Sequence, residues 1–372
     1  MIQLNKRQSD ILYLIRVHEK LSNQEIKIRL EETFGEISRV TITRDIRVLL
    51  NKNLIKKNGR GRNVYYLEVV SNPALSYLDV ANYFKVGPDL RKIAFEKFNF
   101  EVFENLEEIF SREELKELET LNKNCHARIN KLSPTIFKKE LERLIIELSW
   151  KSSQIEGNTY SLIDTEILIK EHKEAKGHKK EEAIMILNHK KTLDHILSNK
   201  NYFQKINIRK IEDLHYLLID GLNVSKGIRK NMVGIVGTKY KPLDNQYQIK
   251  EALEKMLKLI ETTLNPFLKS FLVLILIPYI QPFEDGNKRT SRLLSNAILL
   301  AYNICPLSYR SIDEADYKKA IIIFYEQNNL RFFKELFIQQ FKFAVKNYFG
   351  VTRGYKDSPC LSTRSNFVEK KN

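Results

Sequence analysis

The side chains whose types and spacing best suit chemistry fall in one run, Ile280-Gln281-Pro282-Phe283-Glu284-Asp285-Gly286-Asn287-Lys288-Arg289-Thr290-Ser291-Arg292. An apolar stretch precedes it and a helical pattern follows. Gly286 and Asn287 therefore fall where a tight loop opens a helix, whose first backbone N–H groups are free to bind an anion. Arg289 and Arg292, three residues apart, project to one side of the first turns and offer forked donors for phosphate oxygens. Asp285 adds a hard oxygen ligand of the kind Mg2+ takes beside a polyphosphate. From residue types alone the run is a cradle for a nucleoside di- or triphosphate. A polar turn between two core helices would use the same Gly and Asn.

The run resembles the signature of Fic-domain proteins, His-Pro-Phe-x-(Asp/Glu)-Gly-Asn-x-Arg-x-x-Arg. Pro282, Phe283, Asp285, Gly286, Asn287, Arg289 and Arg292 match it. The resemblance implies ATP as the nucleotide and Mg2+ at Asp285. It places Phe283, Gly286, Asn287, Lys288, Arg289 and Arg292 around the nucleotide, with Asn287 and Arg289 also serving the transfer of AMP to a Ser, Thr or Tyr hydroxyl of a target protein. The position of the family's catalytic histidine holds Gln281. A carboxamide does not take a proton near neutral pH, and general-base help is worth about 10²- to 10⁴-fold in rate. Two readings follow: an AMP-transferase homologue of doubtful activity, or a catalytically silent nucleotide-binding regulator.

Several elements must position this run. A helix expected from Pro134 to Trp150 has Phe137, Leu141, Leu144, Ile145 and Leu148 on one stripe. It leads into Ser152-Ser153-Gln154-Ile155-Glu156-Gly157, which resembles the inhibitory motif of many Fic proteins at Ser152, Glu156 and Gly157. That likeness implies that Glu156 pairs with Arg292 and keeps its guanidinium from the γ-phosphate. A solvated glutamate near a helix end is the plainer alternative. The segment Gly227 to Pro242 reads as a strand pair and resembles the Fic flap, with Gly237 at the turn and Tyr240 near the base. The seven histidines show no metal-binding spacing, His189 and His195 are expected on a Lys-rich face, and no substitute base stands near Gln281 in sequence.

The first seventy residues read as three short helices and a hairpin. Ser22 and Glu25 have capping-box spacing, Ser38 can cap the third helix, and a Gly-rich tip separates Leu54–Lys57 from Val64–Leu67. The order resembles a winged helix-turn-helix. Arg39, Thr41, Thr43, Arg44 and Arg47 would face DNA from the recognition helix, and Arg60 and Arg62 from the wing. Residues 1–70 carry 14 Lys+Arg against 8 Asp+Glu, net +6, and the whole chain +16. Winged helices also dimerise or dock proteins, which leaves a homodimer open.

The expected class is mainly α: a winged helix-turn-helix over 1–70, a linker or helical extension over 71–110 that is mostly helical, an all-helical Fic domain with a small β-hairpin flap over 111–350, and a flexible tail over 351–372. Ser111 starts a charged helix through about Leu121. Three scattered cysteines, Cys125, Cys305 and Cys360, suit a reducing cytoplasm, and the apolar run Phe271–Ile280 is too short to span a bilayer. The expected partners are a nucleotide, DNA and a target protein, with no membrane.

Overall fold

The computed structural model describes residues 4–18, 20–70 and 72–349. The linker residue Ser71, the expected tail over 351–372 and the side chain of Arg62 lie outside the described residues. The chain is mainly helical with one small two-stranded sheet.

Helices α1 (Lys6–Val17), α2 (Asn23–Phe34) and α3 (Arg39–Asn51) lead into strands β1 (Ile55–Asn58) and β2 (Tyr65–Glu68). Ser22 and Glu25 form the expected capping box, and Ser38 accepts from the Thr41 N–H. The strands pair antiparallel, Ile55 opposite Glu68 and Asn58 opposite Tyr65. Ile11, Ile15, Ile26, Ile42, Leu49 and Ile55 form a core of their own. The buried Asp45 of α3 accepts from Arg7 Nε and Gln8 Nε2 of α1, at 2.5 and 3.0 Å.

The larger body contains α4 (Val80–Tyr83), α5 (Arg112–Ile129), α6 (Pro134–Ile155), α7 (Leu162–Glu171), α8 (Lys180–Ser198), α9 (Ile208–Ile219), α10 (Gln246–Thr262), α11 (Pro266–Ile280), α12 (Asn287–Ala301), α13 (Glu314–Gln327) and α14 (Arg331–Asn347). Helix α11 is apolar all round, and every residue from Ser270 to Phe283 is buried, so it forms the axis of the body. Each Leu or Ile placed there contributes about 1.5–3 kcal/mol of burial. Helix α12 packs closely on it, and Ser270 Oγ meets Ser295 Oγ at 2.7 Å. No described helix is long and apolar enough to cross a membrane.

Three expectations are corrected. The region 74–110 is not mostly helical: beyond α4 it holds short 3-10 turns, including Pro88–Leu90 and Phe100–Asn105. Its backbone bonds go elsewhere. Ala94 and Phe95 N–H donate to the carbonyl of Glu326 on α13, whose buried carboxylate takes Arg91 at 2.8 Å and the Tyr83 hydroxyl at 2.7 Å. The second correction concerns 227–242, where no strand pair forms; β1 and β2 are the only strands among the described residues. The limbs are held by Arg229 instead. Its N–H donates to Pro282 O (2.9 Å), its Nε to Gln281 O (2.6 Å), and its Nη2 to Leu243 O. One buried guanidinium thus replaces a ladder. Third, His189 is not on a charged face but fully buried, with Nδ1 3.3 Å from Ser149 Oγ of α6.

Candidate functional site

Helix α11 ends at Gln281, which takes the left-handed conformation (φ 52°). Its side chain is fixed on both sides: Nε2 donates to Pro278 O (2.7 Å) and Oε1 accepts from Asn287 Nδ2 (2.8 Å). Asn287 also closes the loop, accepting from the Phe283 N–H (2.9 Å) and donating to Phe283 O (2.8 Å). Gly286 stands at the N-terminus of α12 with φ +80° and no side-chain cap, where a Cβ would press on the His215 ring at 3.4 Å. The first amides of α12 are therefore uncapped by any side chain and suited to an anion.

Beneath the loop, Phe283 stacks on His215 with centroids 3.7 Å apart and planes 5° apart. His215 Nε2 donates to Asp285 O at 3.0 Å, since a carbonyl can only accept. Burial pushes the imidazole down to about 4, with Arg289 adding to the effect against the Asp285 hydrogen bond, so at neutral pH it is an uncharged prop for the loop.

The loop forms one wall of a cavity of about 380 Å³. Val233 to Val236 form another, and Lys318, Ile321, Ile322 and Tyr325 of α13 a third. Gln281, Asp285, Gly286, Asn287, Lys288 and Glu156 reach this surface. Phe283, Arg289, Arg292 and Ser152 lie buried behind it. Gly157 follows α6 exposed, with φ +96°. Gly237 adjoins the cavity wall without forming part of it. Tyr240 is a correction: it is buried, stacks between Tyr279 and Tyr325, and donates to Tyr279 O at 2.8 Å, so it offers no face to a base.

The two arginines of α12 are both engaged. Arg289 Nη2 lies 2.9 Å from Asp285 Oδ2, while its buried Nη1 has no protein partner. Arg292 is fully buried; Nε donates to Ser152 Oγ (2.9 Å), Nη2 to Ser152 O (2.8 Å) and Nη1 to Glu156 Oε1 (2.8 Å). Lys288 Nζ stands 3.6 Å from the other Glu156 oxygen. Burial pushes the Glu156 carboxyl up, but Arg292, Lys288 and Arg289 outweigh it and hold it below the usual carboxylate range. Burial likewise opposes the Arg292 charge, and Glu156 and Tyr317 more than offset it. His189, near both guanidiniums, is pushed well below its ordinary value, first by burial and then by their charge. Asp285 has a carboxylate 65% exposed and lines the cavity together with Glu284 and Glu156; among the described residues no three acidic, His or Cys side chains cluster as a metal site.

Of these participants, His215, Lys318 and Tyr325 carry no signal in sequence, because they lie tens of residues from the loop, whereas the segment 233–236 lies within the expected flap 227–242, lining the cavity without forming its strand pair. In the N-terminal module Arg39, Thr43, Arg44 and Arg47 are exposed on α3, Thr41 is half-buried and Arg60 is exposed at the hairpin tip. A polar cavity of about 330 Å³ brings Arg39 and Thr43 beside the start of α2 and Gly61 of the tip.

Residues 205–299 match the family model described as Fic/DOC. A probable protein adenylyltransferase of Aquifex aeolicus is 33% identical over 93 residues, 24% of this chain and 29% of that protein. The protein adenylyltransferase Fic of Nematostella vectensis is 26% identical over 186 residues, 48% of this chain and 43% of that one. The chain thus spans less than half the length of these curated relatives. Among solved structures, Fic-1 of C. elegans aligns with a TM-score of 0.54 at 21% identity, over 64% of this chain and 71% of that one. A Fic family protein of Desulfovibrio desulfuricans gives 0.53 at 21%, over 64% and 75%. These likenesses establish the fold.

Proposed function

We propose, from the premise that residues 205–299 belong to the Fic/DOC family, that this chain binds ATP in the cavity beside Gly286 for AMP transfer to a protein hydroxyl. Glu156 restrains the transfer and Gln281 slows it. The observation that carries this reading is the reach of Ser152 and Glu156 across 140 and 136 residues to Arg292, on the same helix whose N-terminus faces the cavity. An arginine so held is unavailable to a phosphate until Glu156 lets go.

In the proposed reaction the target oxygen bonds to the α-phosphorus, the bond to the β-phosphate oxygen breaks, and pyrophosphate leaves. The α12 amides and Arg289, whose Nη1 lacks a partner, would stabilise the phosphoryl charge. Asp285 would hold Mg2+, which neutralises phosphate charge when bound. Asn287 holds Gln281 in place, with its amide oxygen already accepting. That carboxamide can orient the attacking hydroxyl and cannot take its proton, which passes to solvent.

The same fixed carboxamide favours a second reading, in which the site senses nucleotide without chemistry and the N-terminal module, as a winged helix over 1–70, binds DNA in the cytoplasm. Its support is the exposed set of Arg39, Arg44, Arg47 and Arg60. In this proposal 71–110 is the linker and 111–350 the catalytic-fold domain.

Intact-mass measurement after incubation with Mg-ATP separates the readings, using Glu156→Gly with Gln281 and with Gln281→His. An adenylyl adduct on the Gln281 form upholds the enzyme; an adduct with histidine alone upholds the sensor. No adduct in either form, with no ATP binding by calorimetry, rejects both nucleotide readings. For DNA, Arg44→Ala and Arg47→Ala should each lower the salt slope of binding by about 1; unchanged retention of duplex DNA would reject the recognition-helix assignment.

A further inference from the structure

The restraint in the proposed function depends on where Glu156 stands, and Glu156 is the C-terminal cap residue of α6, the part of a helix that frays most readily. Helix α6 finishes in a Schellman motif: the Asn158 N–H donates to Ser153 O at 3.1 Å and the Gly157 N–H to Gln154 O at 2.8 Å, with Gly157 at φ +96°. Past this turn the chain is fastened to the start of α8.

Glu182, in the first turn of α8, makes that fastening. Its Oε2 accepts from the Thr159 N–H at 3.1 Å and from the Thr159 hydroxyl at 2.7 Å, and its carbonyl accepts from Asn158 Nδ2 at 2.9 Å. His178 Nδ1 stands 2.8 Å from the same hydroxyl and 3.5 Å from Oε2. Burial pushes the Glu182 carboxyl up, but Thr159 and His178 outweigh it and hold it below the usual carboxylate range, so it is an anion and an acceptor at neutral pH. Asn158 and Tyr160 are buried on either side of Thr159, which is itself exposed, and Trp150 Nε1 of α6 donates to Tyr160 O at 3.1 Å. None of Asn158, Thr159, His178 and Glu182 lines the cavity beside Gly286.

We propose that Glu182 is a positioning residue for the inhibitory glutamate: by clasping Asn158 and Thr159 it fixes the end of α6 and keeps Glu156 at 2.8 Å from Arg292. This rests on the restraint reading above and says what holds the restraint in place. The bond from Glu156 to Arg292 crosses 136 residues, so its geometry is set by how the end of α6 sits against α12. Thr159 stands three residues beyond Glu156, and a chain freed there loses its nearest side-chain anchor past the helix end. The clasp is open to solvent at Thr159, so the restraint can be loosened there without touching the cavity.

The test is a double-mutant cycle read by urea titration, Glu182→Ala against Glu156→Gln in the full chain. Glu182→Ala should lower the urea midpoint of the wild type, and in the Glu156→Gln background the shift should fall below about half, because two residues that serve one contact are not additive. Equal shifts in both backgrounds would overturn the assignment and leave Glu182 a merely structural residue. A second readout is the rate of adenylyl adduct formation from Mg-ATP, by intact mass, on the chain carrying Gln281→His. There Glu182→Ala should raise the rate on the order of tenfold, the scale of one charge-assisted hydrogen bond. Glu182→Gln, whose amide oxygen still accepts from Thr159, should raise it less. With Glu156→Gly added, Glu182→Ala should change the rate by less than about twofold. An unchanged rate, or the same factor with and without Glu156, would also overturn the assignment. Thr159→Val, at an exposed position, repeats both comparisons if Glu182→Ala disturbs α8. No adduct from the chain carrying Gln281→His and Glu156→Gly would overturn the transfer reading instead, and the urea cycle would still decide the clasp.

Discussion

Two successive turns of α12 treat their arginines differently. Arg289 pairs with Asp285 four residues away, on a carboxylate 65% exposed, and the pair closes within its own turn. Arg292, one turn further along α12, is 0% exposed and meets a glutamate from α6 that is 19% exposed. The first pair is local and open on one side: Asp285 can exchange its bond for one to water or a ligand, while Arg289 is only 2% exposed. The second binds two distant helices, and opening it leaves a guanidinium buried without its counter-charge. One helix therefore carries an arginine whose partner is open to solvent and one held in a largely closed pair.

The sharpest way to break this contrast is Glu156→Gln. Removing one partner of the buried pair should cost about 3 kcal/mol of unfolding free energy, read from urea titration, with Mg-ATP recovering part of it by meeting the freed guanidinium. A loss below about 1 kcal/mol would mean that Ser152 alone satisfies Arg292 and that Glu156 is a surface residue.

A pH series probes the loop from beneath. His215 has its folded value pushed down to about 4 against about 6.5 when unfolded. As pH falls from about 6.5 toward 4 the unfolded chain takes the proton and the folded one does not, so stability falls by about 2 kcal/mol at pH 5. His215→Phe should remove this share and leave that of His189, which is lowered in the same direction. Glu156, whose value is depressed, instead loses its contribution as pH falls below the ordinary carboxylate range. An unchanged difference between pH 7 and pH 5 in His215→Phe would contradict the neutral-prop assignment.

The smallest effect belongs to Asp285→Ala. With its carboxylate 65% exposed, the Asp285 side of the pair should contribute below about 1 kcal/mol to folding, so the urea midpoint should scarcely move while Mg2+-dependent ATP binding weakens. A large fall in stability would make the two arginines alike and remove the contrast.

Local rules in the sequence carried the helix caps at Ser22, Ser38 and Ser111, the buried character of α11, and the hairpin of β1 and β2, because each depends on residues within a few positions of one another. The same rules failed over 74–110 and 227–242. There the chain is held by single long-range anchors, Glu326 with Arg91 and Arg229 with the carbonyls of the loop, which no local period announces. Tyr240 reads as a candidate stacking partner and is consumed by Tyr279 and Tyr325.

By itself the sequence determined the donor set of the loop, the acid at Asp285, the absence of an imidazole at Gln281 and the glutamate that an inhibitory pairing would need, since these follow from residue types in one order. Only the tertiary structure decided that Arg292 is buried against Ser152 and Glu156, that His215 props Gly286, and that Lys318 shares the cavity. Those placements depend on how α6, α9 and α13 pack around α11 and α12, and the packing is set by buried surface summed over the whole body rather than by any one motif.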